Sequence, residues 1–357
     1  MQNRRIRALV LAAGLGTRLR PLTESVPKPL LPVAGQPILG HTLAQLAACG
    51  CEAAAVNLHH LGHQIRLRFG PAFAGMPLTW SEETEILGTL GALHPLREFF
   101  APADVVLLVN GDSLCRWPFK KMVRRHLASG ARATLLLTSR PDPAAYGGGV
   151  GIDREGRIFS FYSGDPDRGE VARRHVFAGA HVISPELLSR VGPGRSDIVR
   201  DLYIPLLDEP GGGGGGGLTT VVTPGLWHDM GTPQRFLEGA LEWARGGWPK
   251  RLWRRAWISP EAGIDSKASV RQAVVEAGAR AGEGAHIERS VLLPGSRVGA
   301  GSVVRESILG FDAAVPPGTW VERRMITPQR QGAAPGLDES VVGGSVFTPF
   351  GTGEVAG

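Results

Sequence analysis

The fold is indicated by the stretch Ile6-Arg-Ala-Leu-Val-Leu-Ala-Ala-Gly-Leu-Gly-Thr-Arg18, in which an apolar run passes directly into a glycine turn. The run from Ile6 to Leu11 is short and mostly apolar, which predicts a buried strand of a parallel sheet. In the turn, small residues let the backbone approach an anion and present several N–H groups to it. Arg18 adds a guanidinium that can bind two phosphate oxygens. The stretch therefore predicts a strand that ends in a phosphate-binding turn.

A second cation, Lys28, follows in Pro27-Lys-Pro-Leu-Leu-Pro-Val33, where the prolines restrict the backbone. The glycines alone are weak evidence, because Gly14 and Gly16 do not complete G-x-G-x-x-G and the chain has no G-x-x-x-x-G-K-[ST]. A tight strand-to-helix turn with solvated basic residues is the alternative interpretation of the glycines.

The whole string G-x-G-T-R-L-x-P-L-T…P-K-P-L-L-P-V resembles the signature of the sugar-1-phosphate nucleotidyltransferases, also called NDP-sugar pyrophosphorylases. The resemblance implies that the turn binds a nucleotide and that Arg18 and Lys28 are catalytic residues acting on its phosphates. The nucleotide-binding residues implied in this turn are Leu11, Ala12, Ala13, Gly14, Gly16, Thr17 and Arg18.

Apolar runs alternate with helical patterns through roughly the first 240 residues. The pattern predicts strands at 53–58, 105–109 and 133–138, and helices at 38–48, 61–69 and 119–127. This alternation is typical of a Rossmann-like layered α/β domain with a mainly parallel sheet. Ligands of such sheets bind beyond the carboxyl ends of the strands, and the opening turn lies at such an end.

Two aspartates are candidates for holding a metal. Asp112 follows an apolar strand in Asn110-Gly-Asp-Ser113, where a carboxylate can bind Mg²⁺, although a simple Asx-type turn is the alternative. By resemblance, Asp112 matches the family's catalytic metal ligand, and Asp229, in Trp227-His-Asp-Met-Gly-Thr-Pro233, its second. The resemblance therefore implies Mg²⁺ as the cofactor and places Asn110 and Gly111 beside the nucleotide.

Glu83-Thr-Glu-Ile-Leu-Gly-Thr-Leu-Gly-Ala-Leu93 resembles the family's base-binding segment, in which mannose-1-phosphate guanylyltransferases often carry Leu-Gly-Thr-Ala-Gly-Ala. This resemblance implies that Gly88 contacts the nucleotide. A carboxylate of Glu83 or Glu85 could accept from guanine N1–H and N2–H₂, which favours GTP. Two exposed loop glutamates are the alternative interpretation.

The sugar side is implied by Tyr146-Gly-Gly-Gly-Val, which resembles the family's Tyr-Gly-Val segment, and by Phe177-Ala-Gly179, which resembles a later strand. The family's Glu-Lys-Pro is absent between them, and Asp165 is the candidate to replace its glutamate. Arg173 or Arg174 is the candidate to replace its lysine. Because this motif is absent, the sequence does not determine which sugar is bound. The implied sugar-binding residues are Tyr146, Gly147, Gly149, Asp165 and Gly179.

Composition narrows the class of protein. The chain has 357 residues, 43% of them hydrophobic, which suits one large domain and a smaller one. No run of about 18 uncharged apolar residues predicts a membrane span, and no signal-peptide cleavage site is evident, so a cytoplasmic protein is expected.

Cys49, Cys51 and Cys115 lack zinc-ligand spacing and are interpreted as reduced thiols. The net charge of +6 is scattered, so polyphosphate substrates explain it and no nucleic acid is expected.

After residue 256, apolar or small residues recur in groups of three, spaced six positions apart within a group and five positions apart between groups. Each group corresponds to one coil of 17 residues, and four such coils follow one another. Three short faces per coil with one inward residue each are typical of a parallel β-helix, and the spacing resembles the hexapeptide-repeat left-handed β-helix. A β-sandwich is the alternative fold. Such domains also serve acyltransferases, but His286 is the one histidine here, and we expect a role in homo-oligomer formation or regulation. The inward positions are Ile258, Ile264, Val270, Val275, Ala281, Ile287, Leu292, Val298, Val304, Leu309, Val315 and Val321.

These patterns divide the chain into a nucleotidyltransferase domain at 1–245, a basic linker at 246–256, a left-handed β-helix at 257–327 and a Gly-rich tail at 328–357. The tail has no periodicity and is expected to extend loosely over the surface. The seven glycines at 211–217 predict a mobile surface loop.

The resemblance implies that an NTP reacts with a sugar 1-phosphate to give an NDP-sugar and pyrophosphate. The base segment and the trailing β-helix favour GTP and mannose 1-phosphate. A UTP- or dTTP-dependent enzyme acting on glucose 1-phosphate or N-acetylmuramate 1-phosphate is the alternative within this class. A non-catalytic regulatory subunit that binds an NDP-sugar is the alternative from another class.

Overall fold

The computed structural model describes residues 4–162, 164–209, 217–246, 255–329, 336 and 338–350. Within these ranges the chain forms two compact units, one made of 4–15 and Leu39–Trp227, the other of Gly16–Ile38 and 228–350. Arg18 and Lys28 therefore belong to the same unit as the C-terminal repeats. This division differs from the boundary at 246 predicted from composition, because composition does not register the contacts of residues 16–38. Residues 211–216 of the glycine run and 247–254 of the linker lie outside the described residues.

The first unit is built on a mixed sheet whose central strands are parallel. The strand Ile6–Leu11 lies between Val105–Asn110 and Ala53–Leu58 and is parallel to both. Met76–Glu82 continues the parallel run on the far side of Ala53–Leu58. Since the central strands are covered on both faces, they are apolar along their whole length rather than alternating. The predicted α/β domain is confirmed.

Antiparallel pairing extends the sheet on the other side. Arg173–Ile183 pairs with both Val105–Asn110 and Ala133–Thr138, and its pairing with Ala133–Thr138 has a register shift between Phe177 and His181. The strands of the first unit are Ile6–Leu11, Ala53–Leu58, Ala72–Phe73, Met76–Glu82, Val105–Asn110, Leu114–Cys115, Ala133–Thr138, Val150–Ile152, Ile158–Ser160, Arg173–Ile183 and Leu218–Thr223.

The helices predicted from periodicity are present, with ends shifted by one or two residues. Leu61, expected to open the second helix, is left-handed (φ 53°) and precedes it. The longer helices preceding residue 227 are Ile38–Cys49, Gly62–Phe69 and Phe119–Ser129, and the short helical turns are Gly88–Gly91, His94–Leu96, Arg97–Phe100, Pro143–Tyr146, Pro185–Arg190, Val199–Tyr203 and Ile204–Leu207. In the described part of the chain, none of the helices has the length and apolar character to cross a bilayer.

The core of the first unit joins the sheet to the helical turns around it. Leu9 and Leu108 of the central strands belong to one buried cluster with Phe100, Leu187 and Tyr203. Burying a leucine or phenylalanine side chain contributes about 1.5–3 kcal/mol, so this cluster is a main source of stability for the edge of the sheet where the opening turn begins.

The second unit contains the predicted parallel β-helix. Its strands form three sheets in which each strand pairs in parallel with its counterpart in the next coil, as Val274 pairs with Val291 and Val291 with Ile308. The inward residues form one core cluster from Val275 to Ile326. Ile258 is an exception, at 41% exposure, because its coil is the first and stacks on a neighbour on one side only. The coil strands are Trp257–Ile258, Gly263–Ile264, Ser269–Arg271, Val274–Val275, Arg280–Ala281, His286–Glu288, Val291–Leu292, Arg297–Val298, Val303–Arg305, Ile308–Leu309, Ala314–Val315, Trp320–Glu322 and Arg324–Pro328.

One outer face of the β-helix is apolar and covered within the same unit. Val274, Val291, Ile308 and Met325 alternate with the inward residues, yet all four are buried. The helix Pro233–Arg245 packs on this face and also contacts the short strand Pro32–Val33, whose hairpin partner is Gln36–Pro37. The remaining short elements are the turns Thr17–Leu19, Leu22–Glu24 and Lys28–Leu30 and the strand Trp227–His228, at which the two units divide.

The tail differs from the prediction. Ser340–Val342 and Ser345–Pro349 form a hairpin, and the second strand pairs antiparallel with Arg324–Pro328. Phe347 is 5% exposed and belongs to the coil core. The expectation of a loose tail is therefore wrong for residues 340–349, because the last coil has an open end and Phe347 covers it.

Candidate active site

The opening turn begins where Ile6–Leu11 ends, and its first residues are held by the neighbouring strand. Ala12 and Ala13 are buried, whereas Gly14 is exposed and a Cβ placed on it would have no atom within 4 Å. The Ala12 N–H donates to Oδ1 of Asn57 at 2.7 Å. The start of the turn is thus anchored, and the backbone around Gly14 has open space in front of it.

Asn57 also connects the turn to the base-binding segment. Its Nδ2 donates to Oε1 of Glu83 at 2.8 Å, and the Leu87 N–H donates to Oε2 at 2.9 Å. Glu83 is 7% exposed, so its carboxylate orders this segment from inside. Sequence reasoning missed Asn57, although a single amide at the end of the otherwise apolar, fully buried strand Ala53–Leu58 is a signal for such a role.

Glu85, by contrast, lines an open cavity of about 410 Å³. Gly88 of the base-binding segment packs against the backbone of Ser196. It has φ +77°, and a Cβ there would lie 2.5 Å from the Ser196 carbonyl oxygen. The Leu90 N–H donates to that same carbonyl at 3.0 Å. The cavity is lined by His59, Thr84, Glu85, Ile86, Leu87, Gly194 and Arg195.

Asp112 follows the strand beside the opening turn and is half-buried. The Gly111 N–H donates to the Leu11 carbonyl at 2.8 Å, and a Cβ on Gly111 would lie 2.8 Å from Val10 Cγ1, so only glycine allows these two strand ends to meet. Asn110 contacts Gly179, where a Cβ would lie 2.5 Å from the Asn110 Nδ2. The fold therefore places a predicted nucleotide-side residue next to a predicted sugar-side residue.

The residues of the predicted sugar-side segment Tyr146–Gly149 have different surroundings. The Tyr146 ring packs edge-to-face on the Trp227 ring with centroids 5.5 Å apart, and the Trp227 Nε1 donates to the Ala178 carbonyl at 2.8 Å. Gly149 lies against the backbone of His175, where a Cβ would come within 2.7 Å of the carbonyl oxygen. Gly147 has open space instead.

The stretch that replaces Glu-Lys-Pro is held by its own hydrogen bonds. Asp165 accepts from the Phe161 N–H and from Arg168 Nη1, both at 2.8 Å. Arg174, one candidate for the absent lysine, pairs with Asp167 at 2.7 Å and has a buried Nη1 without a partner among the described residues. Arg173 is exposed.

In the second unit, the chain after Gly16 folds back on itself. Gly16 is left-handed (φ 63°), and a Cβ there would lie 3.3 Å from Thr23 Cγ2 and 3.4 Å from Lys28 Cβ. The Thr23 hydroxyl donates to the Gly16 carbonyl at 2.7 Å. Thr17 and Arg18 remain exposed at the outer edge of this turn, whereas Lys28 is only 6% exposed.

The same unit brings Arg18, Lys28 and Asp229 together. Lys28 Nζ donates to the Asp229 carbonyl at 2.7 Å. A Cβ on Gly231 would lie 2.8 Å from Arg18 Nη2 and 3.3 Å from Asp229 Oδ2, so both charged groups contact this glycine. Arg235 Nη1 pairs with Asp229 Oδ2 at 2.5 Å. Arg18 and Arg235 thus lie close to the Asp229 carboxylate and Lys28 is bonded to the carbonyl of the same residue, an arrangement suited to binding several phosphate groups.

Two residues that sequence reasoning missed hold this cluster in place. Arg235 lies in the first turn of the helix Pro233–Arg245, and Glu242 of the same helix pairs with Nε2 of His228 at 2.7 Å. His228 and Asp229 are therefore both tied to one helix. In the sequence, Arg235 and Glu242 are a basic and an acidic residue seven positions apart on one helix. Such pairs are too common for the sequence alone to identify these two as site residues.

The described residues contain no group of three or more His, Cys, Asp or Glu side chains arranged to hold a metal. Mg²⁺ does not require such a group, because it is usually bound by one or two carboxylates with water and substrate phosphates as the other ligands. The side chain of Asp229 is 21% exposed, and carboxylate oxygens are the donors that Mg²⁺ prefers, so Asp112 and Asp229 fit this ion by their chemistry.

The buried cysteines and histidines of the first unit are not suited to catalysis. Burial raises the pKa of Cys51 to about 12, and it also raises the pKa of Cys115. Burial lowers the pKa of His181 to about 3, and its Nδ1 lies 2.9 Å from the Tyr203 hydroxyl. These groups therefore remain neutral at physiological pH, which agrees with a role in packing.

Comparison with known families gives two matches. The Nucleotidyl transferase family matches residues 7–245, and the GlmU-like C-terminal hexapeptide family matches residues 253–324. The second match agrees with the observed parallel coil.

The chain is also similar to named enzymes and to a solved structure. Mannose-1-phosphate guanylyltransferase catalytic subunit beta of Drosophila pseudoobscura pseudoobscura is 34% identical over 236 residues, covering 65% of this chain and 61% of its own length. Mannose-1-phosphate guanylyltransferase of Mycobacterium tuberculosis is 32% identical over 247 residues, covering 69% of this chain and 67% of its own length. The chain thus spans about three fifths of the length of the Drosophila relative. The crystal structure of HddC from Yersinia pseudotuberculosis shares the fold, with a TM-score of 0.53 and 21% identity over 66% of this chain and 99% of that one.

Proposed function

Since this chain belongs to the nucleotidyl transferase family, we propose that it transfers a nucleotidyl group from an NTP to a sugar 1-phosphate and releases pyrophosphate. The observation that carries the proposal is the cluster of Arg18, Lys28 and Asp229 around Gly231. A regulatory subunit that only binds an NDP-sugar has no need of such a concentration of charge beside a candidate metal ligand.

The chemistry needs no covalent intermediate on the protein. An oxygen of the sugar phosphate attacks the α-phosphorus, the bond from that phosphorus to the bridging oxygen breaks, and its electron pair leaves with pyrophosphate. Catalysis then consists mainly of positioning and charge neutralisation. Arg18 holds the departing pyrophosphate through two hydrogen bonds, and Lys28 neutralises charge close to the α-phosphorus.

We propose that Asp112 and Asp229 hold Mg²⁺. When bound, the ion neutralises phosphate charge and orients the reacting oxygens. Arg235 keeps the Asp229 carboxylate in one orientation, and the Gly231 N–H, 3.3 Å from Oδ1, assists it. The Lys28 bond to the Asp229 carbonyl holds the main chain at the same residue.

We propose GTP and mannose 1-phosphate as the substrates. Support for GTP comes from Glu85 and Arg195, which both line the cavity, because a carboxylate can accept from guanine N1–H and N2–H₂ and a guanidinium can donate to O6. Glu83 is assigned to ordering the segment rather than to the base, since its two oxygens are bonded to Asn57 and Leu87. Support for mannose comes from the activity named for the Drosophila and Mycobacterium relatives.

The sugar contacts are proposed to come from Tyr146, Gly149 and Gly179, because Tyr146 packs on Trp227, Gly179 lies beside Asn110 and Gly149 lets the backbone pass close to His175. We include Gly147 among the sugar contacts, since it has open space beside it. Asp165 contributes indirectly by ordering its loop through Arg168.

The test is a pyrophosphate-release assay over a grid of common NTPs and sugar 1-phosphates, with the full chain and Mg²⁺. We expect the highest kcat/KM for GTP with mannose 1-phosphate. If pyrophosphate is released mainly with UTP or dTTP and another sugar 1-phosphate, the assignment of GTP and mannose 1-phosphate is wrong. If no pair of substrates releases pyrophosphate, the proposed enzymatic activity is wrong.

We also propose that copies of the chain associate through the exposed faces of the β-helix, in the cytoplasm. Trp320 is 59% exposed on such a face, with the Arg305 guanidinium 5.1 Å from its ring centroid, and large exposed aromatics are typical of subunit contacts. The three cysteines are free thiols, as expected in a reducing compartment. Light scattering after size exclusion tests the assembly, and a monomer at micromolar concentration would reject it.

A further inference from the structure

Glu276 is a buried acid in the β-helix for which the proposed reaction has no direct use. It is 1% exposed. Its Oε2 accepts a hydrogen bond from the Gly35 N–H at 3.0 Å, and the Ala34 N–H of the same turn also stabilises the charged carboxylate. Its Oε1 is buried without a hydrogen-bond partner at normal distance among the described residues. Burying a carboxylate with so few partners is costly, so Glu276 is a conspicuous departure from the small and apolar residues that fill the coils.

Gly35 is at the tip of the hairpin formed by Pro32–Val33 and Gln36–Pro37. Ala34 and Gly35 are both left-handed, with φ of 52° and 82°, as a two-residue hairpin turn requires. A Cβ on Gly35 would lie 3.0 Å from the Trp257 ring. The tip is therefore held between Trp257 of the first coil and Glu276 of the second.

This hairpin directly follows Lys28. The Leu31 N–H donates to the Lys28 carbonyl at 3.0 Å, and the Ile38 N–H donates to the Leu31 carbonyl at 3.1 Å, so the hairpin closes onto the turn that carries the lysine. Pro29 and Pro32 restrict the intervening backbone. A movement of the tip is thus transmitted to Lys28, with little backbone freedom to absorb it.

A second contact of the same kind lies two coils further on. Gly310 occupies the position in its coil that Glu276 has two coils earlier, and a Cβ there would lie 3.3 Å from Leu22 Cδ1. Leu22 belongs to the same segment, residues 16–38. The β-helix therefore contacts this segment at two separate points along one column of residues.

We propose that Glu276 is a positioning residue for nucleotidyl transfer, which holds the Gly35 turn and thereby fixes the segment that presents Lys28. The C-terminal coil then forms part of the catalytic apparatus, in addition to any role in assembly. This inference rests on the proposed function.

The test compares three variants of the full chain. Glu276→Met keeps the length and approximate volume of the side chain but removes the acceptor, and it also removes a buried charge, so the fold is expected to survive. Glu276→Gln keeps an acceptor oxygen for Gly35. Glu283→Met is the matched control, because Glu283 is an exposed acid of the same coil that pairs with the exposed Lys267.

For each variant, two properties are measured well below the melting temperature: kcat and KM for both substrates, and amide hydrogen exchange of peptides covering residues 30–38. For Glu276→Met we expect exchange of this segment to accelerate at least about ten-fold and kcat to fall about ten- to hundred-fold with smaller changes in KM. Glu276→Gln should restore both properties to within about three-fold, and Glu283→Met should match the wild type.

The inference would be overturned if Glu276→Met left both kcat and the hydrogen exchange of residues 30–38 unchanged. A change in melting temperature without a change in these two properties would overturn it as well. Should Glu276→Met fail to fold, Glu276→Ala is measured at lower temperature by the same two readouts. If the wild type proves inactive on every substrate pair, the proposed function fails, but the exchange measurement still shows whether Glu276 orders the segment.

Discussion

Lys28 Nζ donates its hydrogen bond to the backbone carbonyl of Asp229, at 2.7 Å and across 201 residues of chain. Because the acceptor is the main chain, the Asp229 carboxylate stays available to Arg235 and the Gly231 N–H. A single bond therefore connects the first signature segment to the second candidate metal ligand without using either oxygen that a metal would need. The following predictions start from this arrangement.

Replacing Lys28 tests its charge. In Lys28→Met the ammonium beside the phosphates is lost, and we expect kcat to fall at least about 100-fold. Lys28→Arg should recover only part of this loss, because the site is buried and Gly16 lies against the side chain. Steady-state pyrophosphate release measures the effect, with the exposed Lys120→Met as control. Equal activity of Lys28→Met and the control would show that Lys28 does not act on the phosphates.

Replacing Asp112 tests the metal assignment. Asp112→Asn keeps the shape but removes the charge, so we expect turnover to fall at least about 100-fold while the melting temperature moves by less than about 2 °C. The exposed Glu98→Gln in the same unit is the control. Titration of Mg²⁺ in the assay should also show a higher concentration for half-maximal rate. Unchanged turnover would falsify the role of Asp112.

The bond between Asn57 and Glu83 is expected to order the turn and the base segment together. Asn57→Leu leaves Oε1 of the buried Glu83 carboxylate without its donor while the Leu87 N–H still serves Oε2, and we expect a loss of about 2–4 kcal/mol in the free energy of unfolding and a higher KM for the NTP. Glu83→Gln removes the charge, so the double variant should lose less stability than the sum of the single variants. Urea unfolding of all four proteins measures this coupling, and strict additivity would contradict it.

Glu85 is expected to select the base. Glu85→Gln exchanges one acceptor for a donor in the cavity, and we expect kcat/KM for GTP to fall about ten-fold while the low rate with UTP changes less than about two-fold. Glu82→Gln is the control, since Glu82 pairs with Arg66 on the surface at 2.6 Å. Equal losses with both nucleotides would remove Glu85 from base recognition.

Glu276 should make stability depend on pH. Burial raises its pKa to about 7 from 4.5, against the opposing effect of the Gly35 and Ala34 N–H groups. Between these values the folded protein binds more protons than the unfolded one, so the free energy of unfolding falls as pH rises toward 7 and stays low above it. Between pH 5 and pH 8 this group is expected to lower the free energy of unfolding by about 2–3 kcal/mol. Urea unfolding at pH 5 and pH 8 measures it, and Glu276→Gln should flatten the difference; an equal pH dependence in that variant would assign it to other groups.

Much of the fold is predictable from local patterns. The apolar run at Ile6 predicts a central strand because a strand covered on both faces must be apolar along its length. The six-position periodicity predicts the coil because each inward side chain recurs at a fixed spacing. The paired apolar residues Val274–Val275 and Val291–Leu292 also carried an unused signal, since a strand apolar on both sides needs a covering layer on its outer face.

What the amino-acid sequence determined by itself was therefore the type and order of the elements, the coil repeat and the chemical kinds of residue at the site. The tertiary structure alone decided that the Lys28 segment belongs to the same unit as the coil, that Glu83 points inward while Glu85 lines a cavity, and that Glu276 meets Gly35. The physical reason is separation along the chain: periodicity reports which face of an element is buried, but not which residue, more than two hundred positions away, is buried against it.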